Sequence, residues 1–131
     1  MKTLLLVIIA PFLLLTHKPD YKNNVNAFMM KMAKDAKKLC EYYRQRVLRG
    51  ESMASIAKLY SEDPGSANNG GQYNGIKMGM MVPEFEKVAF SLTKPGEISE
   101  VFETEFGFHF IQLISRKGDV LSLRHVLITR D

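Results

Sequence analysis

The sequence predicts an α+β fold, helices followed by a small sheet that can turn one face toward them, because the hydrophobic period changes along the chain. From Val25 to Val47 apolar residues recur at steps of three and four, the spacing of one helix face. From Gly107 onward apolar residues alternate with their neighbours, the period of a strand. Between these regions, Ser61–Gly71 holds a proline, three glycines, two asparagines and two serines, a composition that favours turns.

The elements follow in order. Lys2 precedes the apolar run Leu4–Leu15, broken only by Pro11, which has the charged start and short apolar stretch of an export signal. Twelve residues are too few for a stable membrane span. The alternative is that Phe12–Thr16 is a buried strand, since so short a run does not distinguish the two. Residues 1–16 are therefore set apart, and Lys18-Pro19-Asp20 closes the segment. A single long helix is predicted next, with Phe28, Met29, Met32, Ala36, Leu39, Tyr43 and Val47 on its apolar face and Gly50 past its end. Ser52 suits the N-cap of a short helix that turns Met53, Ile56, Ala57 and Tyr60 inward. Pro83 suits the first turn of another, whose buried face is Phe85, Val88, Ala89 and Leu92. Lys94-Pro95-Gly96-Glu97 signals a tight turn, and Ile98–Glu103, the run after Gly107 and the run after Gly118 read as strands.

Composition narrows the function classes. With 46% hydrophobic and 24% charged residues the 131-residue chain fits one globular domain rather than a disordered or fibrous one. The net charge of +4 comes from basic residues spread from Lys2 to Arg130 among acids, so no stripe marks a nucleic-acid surface. Gly65–Gly71 is glycine-rich, but no Lys-Ser/Thr follows it, which argues against a phosphate cradle. Cys40 is the only cysteine and has no partner for an internal disulfide. His17, His109 and His125 fall in none of the short spacings of zinc sites, so no metal is expected.

Four motifs in series carry a resemblance. Tyr60–Gly71, then Val82-Pro83-Glu84-Phe85 with Ala89-Phe90-Ser91-Leu92, then Lys94–Ser99, then Thr104-Glu105-Phe106-Gly107-Phe108-His109-Phe110-Ile111 resemble the parvulin family of peptidyl-prolyl isomerases. The likeness is nearest to the tandem domains of bacterial periplasmic chaperone isomerases. It implies the parvulin member of the FKBP-like superfold, four antiparallel strands wrapped by three to four helices, over residues 17–118. It also implies isomerisation of X-Pro bonds, no cofactor, unfolded or proline-containing polypeptides as clients, and work in the periplasm or cell envelope. A cytoplasmic location follows instead if the N-terminal run is a strand.

The family's first strand ends in a pattern like His-Ile-Leu-Ile. If Leu13-Leu14-Leu15 fill that slot, Phe12 stands where the histidine belongs. Leu123-Arg124-His125-Val126-Leu127-Ile128 matches the same pattern at the other end of the chain. Two readings stay open: residues 119–131 open a following domain of a longer parent chain, or this strand takes the central place in its own sheet. The second would pair His109 with His125.

Residue by residue, the resemblance puts Met81 and Phe85 at the proline pocket, with Tyr73 and Phe106 joining them on the substrate. Asp63 falls where relatives face the rotating amide, and His109, with His125, organises hydrogen bonds beneath it. The segment Gly70-Gly71-Gln72-Tyr73-Asn74-Gly75-Ile76 departs from the family's Gly-Gly-x-Leu-Gly, and Asn74 can adopt the left-handed backbone of the missing glycine, but less freely. Met78, Met80 and Met81 suit an adaptable surface for varied apolar peptides. The rival reading is a parvulin-fold module that binds peptides with little or no catalysis.

Overall fold

A computed structural model describes residues 19–130. The segment 1–16, with both readings of it and with Phe12, lies outside the described residues. The chain divides into two compact units, 1–34 and 35–131. The first shows helix α1 (Pro19–Ala33).

The second unit opens with helix α2 (Ala36–Leu48), so the single long helix expected from the periodicity is in fact two. Asp35 takes extended backbone angles and its side chain accepts a hydrogen bond from the Lys38 amide at 3.2 Å. It is an N-cap, and a new helix starts there. The apolar spacing runs across this break because Met32 and Ala36 remain four apart, and periodicity does not sense a cap. Gly50 ends α2 with a φ of +110°. Helix α3 (Met53–Tyr60) is capped by Ser52, whose hydroxyl accepts from the Ser55 amide, and helix α4 (Pro83–Ser91) begins on its proline.

Four strands, β1 (Gln72–Ile76), β2 (Phe102–Thr104), β3 (Gly107–Lys117) and β4 (Val120–Thr129), form one antiparallel sheet in the order β1-β4-β3-β2. Of the two places open to residues 123–128, they occupy the central one, and no break in the fold falls at residue 118. Strand β1 went unpredicted. The run Ile98–Glu103 is mostly irregular, with Ile98 making a lone bridge to Gln112 ahead of the short β2. Asn74 does not take left-handed backbone, because Gly75 beside it supplies the positive φ of +67°.

The sheet turns both faces to helices rather than one. On one face Phe110, Val126 and Ile128 pack with Cys40, Tyr43 and Val47 of α2 and Met53, Ile56 and Ala57 of α3. On the other, Ile111, Leu113, Leu121 and Leu123 pack with Ile76 and with Phe85 and Ala89 of α4. The central β3–β4 ladder carries one irregularity: Leu113 pairs with Leu123 and Ser115 with Ser122, so Ile114 is the extra residue of a β-bulge.

Candidate functional site

The loop after α3 is bound to β4 along its length. Glu62 N–H donates to the Leu127 carbonyl at 2.7 Å, Leu127 N–H donates to the Ser61 hydroxyl, and His125 N–H donates to the Gly71 carbonyl at 2.9 Å. Gly71 has φ +76°, and a Cβ there would fall on the His125 carbonyl, so only glycine lets the loop approach this closely. The result sets Asp63 directly over His125.

Asp63 accepts at Oδ2 from Ser66 Oγ (2.6 Å), Tyr73 Oη (2.7 Å) and His125 Nε2 (2.7 Å), and at Oδ1 from the Gly65 amide (3.1 Å). The His125 bond above all, with those from Ser66, Tyr73 and Gly65, holds its carboxyl well below the usual carboxylate range against the opposing effect of burial. An ionised carboxylate has no proton to give, so Nε2 of His125 carries a hydrogen. On the far side of that ring, Nδ1 lies 3.3 Å from Nδ1 of His109, whose Nε2 lies 2.6 Å from Thr104 Oγ1. Thr104 Oγ1 in turn accepts from the Phe106 amide at 3.1 Å.

His109 is 3% exposed, and burial, with His125 beside it, lowers its pKa to about 4. It is neutral near pH 7. With Nδ1 of His109 donating to Nδ1 of His125, every hydrogen bond runs one way, from the Phe106 amide through Thr104, His109 and His125 to Asp63. Among the described residues no buried side-chain polar atom lacks a partner, so the network is fully satisfied, which a low-dielectric setting demands.

Apolar rings wall this polar line. Phe85, 2% exposed, meets the edges of both imidazoles at centroid distances of 5.7 and 5.3 Å, and Phe102 stacks on His109 at 5.2 Å. Above them opens a cavity of about 560 Å³. All seven residues singled out from the sequence line it: Asp63, Tyr73, Met81, Phe85, Phe106, His109 and His125. Met80, Val82 and Leu127 add apolar surface, and Met78 lies outside the lining. Sequence reasoning missed Ser66 and Thr104, both buried and polar, which complete the network at its two ends. Thr104 stood inside a quoted motif, and Ser66 three residues after Asp63, but nothing local marks either as buried.

Comparison with known proteins shows a family. The family model described as Rotamase, the PPIC-type PPIase domain, matches residues 13–115. The chaperone SurA of Pseudomonas savastanoi is 40% identical over 84 residues, covering 64% of this chain and 19% of that protein. Foldase protein PrsA 4 of Bacillus cereus is 40% identical over 101 residues, covering 77% of this chain and 34% of that protein. A crystal structure of peptidylprolyl isomerase (PrsA) from Bacillus cereus matches 72% of this chain and 31% of its own, with 29% identity and a TM-score of 0.48. The chain thus spans about a fifth to a third of the length of these relatives.

Proposed function

The chain belongs to the PPIC-type peptidyl-prolyl isomerase family, and from that premise we propose that its cavity grips a proline of an unfolded polypeptide and speeds rotation about the preceding X-Pro bond. The uncatalysed rotation faces a barrier of roughly 18–20 kcal/mol because it breaks amide resonance. As the amide twists, its carbonyl oxygen loses partial negative charge and its nitrogen regains a lone pair. A site that suits the twisted form better than the planar one accelerates the exchange without any covalent step.

One observation carries the reading: an apolar cavity floored by Phe85 has a fixed, ionised carboxylate on its wall. Phe85 and Met81 offer the pyrrolidine ring apolar, polarisable surface. Asp63 lies where the amide would rotate. Its negative charge disfavours the planar amide, whose oxygen is the more negative, relative to the twisted one. The two histidines and Thr104 hold that carboxylate in place. No cofactor is part of this reading.

The clients would be proline-containing segments of unfolded, exported polypeptides, and the compartment the periplasm or cell envelope. The signal-like start of the sequence supports the compartment, and fractionation of cells expressing the tagged chain tests it. A second domain of the same kind in a longer parent chain belongs to the same proposal.

Proline-limited refolding of a test protein checks the catalytic reading. Acceleration should fall roughly ten- to hundredfold in Asp63→Ala, and Met81→Ala should weaken peptide binding with the fold intact by circular dichroism. A folded protein that binds proline peptides without accelerating refolding would instead be a binding module.

A further inference from the structure

The rim of the cavity has a sign. Among the residues lining it, Glu62 and Asp63 bring acidic side chains, and no lysine or arginine joins them. This runs against the chain as a whole, which is basic at +4. Two basic residues adjoin the cavity's β4 wall in sequence: Arg124, whose guanidinium donates to the Gly70 carbonyl at 3.3 Å, and Arg130. The Arg130 guanidinium donates to the Thr104 carbonyl at 3.0 Å, pairs with Glu103 at 3.2 Å and covers the Phe108 ring, away from the cavity lining.

Glu62 is exposed yet fixed. Its own amide donates to Leu127, and its carboxylate accepts from the Thr129 amide at 3.0 Å and from the Thr129 hydroxyl at 3.4 Å. The carboxylate is therefore held at the mouth of the cavity and needs little ordering when a partner arrives. Asp63 differs, because its Oδ2 is already taken by three donors. Glu62 consequently presents the field that an incoming side chain meets. The two residues are adjacent, so a peptide whose amide sits at Asp63 brings the side chain that precedes proline towards Glu62.

Building on the isomerase reading, we infer that this site selects segments with lysine or arginine before proline and discriminates against glutamate, aspartate and phosphorylated residues there, with Glu62 as the specificity-determining residue. Basic residues beyond about 8–10 Å do not cancel this preference, since charges at that range are largely screened at physiological salt.

The test uses the whole chain and tetrapeptides Ala-Xaa-Pro-Phe with Xaa lysine, leucine or glutamate, following isomerisation and, in parallel, binding. Lysine should exceed glutamate by about fivefold in kcat/KM, the upper end for an exposed charge pair, with leucine between. High salt should compress the ratio. Glu62→Gln keeps an oxygen for the Thr129 amide while removing the charge, so it should bring the lysine-to-glutamate ratio towards one. Equal rates for the three peptides in the unaltered protein, or a ratio untouched by both salt and Glu62→Gln, would overturn the inference while leaving the isomerase reading standing. A lysine preference seen in binding, with no isomerisation of any peptide, would uphold the inference and sink the catalytic reading.

Discussion

On the face of β3 and β4 that meets α2 and α3, Phe110, Val126 and Ile128 lie in an apolar layer with Cys40, Tyr43 and Ile56. One residue along each strand, on the opposite face, His109 and His125 carry a line of hydrogen bonds from Thr104 to Asp63. The same two strands build both, and all of these side chains except Asp63 are buried. Burying the apolar layer favours folding in proportion to its area. Burying the polar line is tolerated only while every member has a partner. The first face holds the second in register, and the second confers chemistry that an apolar face lacks.

The largest effect should come from the apolar face. Phe110→Ala should cost about 3–5 kcal/mol in denaturant unfolding, and the fraction still folded should isomerise normally. The reverse outcome, lost activity with stability unchanged, would mean that the faces are not separate.

Acid should strike the other face. His109 has a folded pKa of about 4, below the ordinary 6.5 or so of an unfolded histidine. Between those values the unfolded chain binds a proton that the folded one does not, so stability falls as pH drops from about 6.5 to about 4. Asp63 is also depressed, and its contribution, present above an ordinary carboxylate pKa of about 3.9, is lost below that. Unfolding midpoints measured from pH 7 to pH 3 should decline throughout. His109→Asn should flatten the upper part of the decline, whereas Phe110→Ala should shift the curve without changing its shape.

Smaller again, Thr104→Val should cost about 1–3 kcal/mol because it leaves His109 Nε2 and the Phe106 amide without a partner. Nitrogen NMR of the two imidazoles should report an altered tautomer, a signature that a packing defect would not produce. Smallest of all, Cys40→Ala on the apolar face should cost roughly 1 kcal/mol and leave catalysis untouched. Burial pushes the Cys40 thiol up to about 12, so in the native protein it should resist thiol reagents until α2 opens from the sheet.

Much of the fold was legible in the sequence, because its causes are local. Ser52 before Met53 and Pro83 at a helix start act within one turn of themselves, and the alternation through 108–113 and 121–128 needs only a strand. The break at Asp35 was not legible, since the apolar spacing continues through a residue whose capping role shows only in its backbone angles. Strand β1 escaped because Gln72-Tyr73-Asn74-Gly75-Ile76 is short and polar and exists as a strand only through its pairing with β4. At the site, Asp63, Phe85 and His109 were found through motif likeness. Ser66 and Thr104 were not, because their hydrogen-bond partners are histidines 59 and five residues away, respectively. The family match ends at residue 115, ahead of β4; His125, marked by the likeness of Leu123–Ile128 to the family's first-strand pattern, reaches the site because β4 takes a central place in the sheet.

The bulge at Ile114 decides more than local curvature. In a ladder kept regular from the Gly118 turn, Ile114 would stand opposite Leu123, and His109 would stand opposite Ile128 instead of Leu127. The two imidazoles would then point to opposite sides of the sheet. At the present number of residues between them, whether they meet is thus a question of parity: an odd count of unpaired residues in the hairpin joins them, and an even count separates them. Deleting Ile114 together with its kink preserves the meeting, since Leu113 and Ser115 keep their partners. Inserting one residue between His109 and Leu113, without a new bulge, abolishes it although no residue of the site has changed.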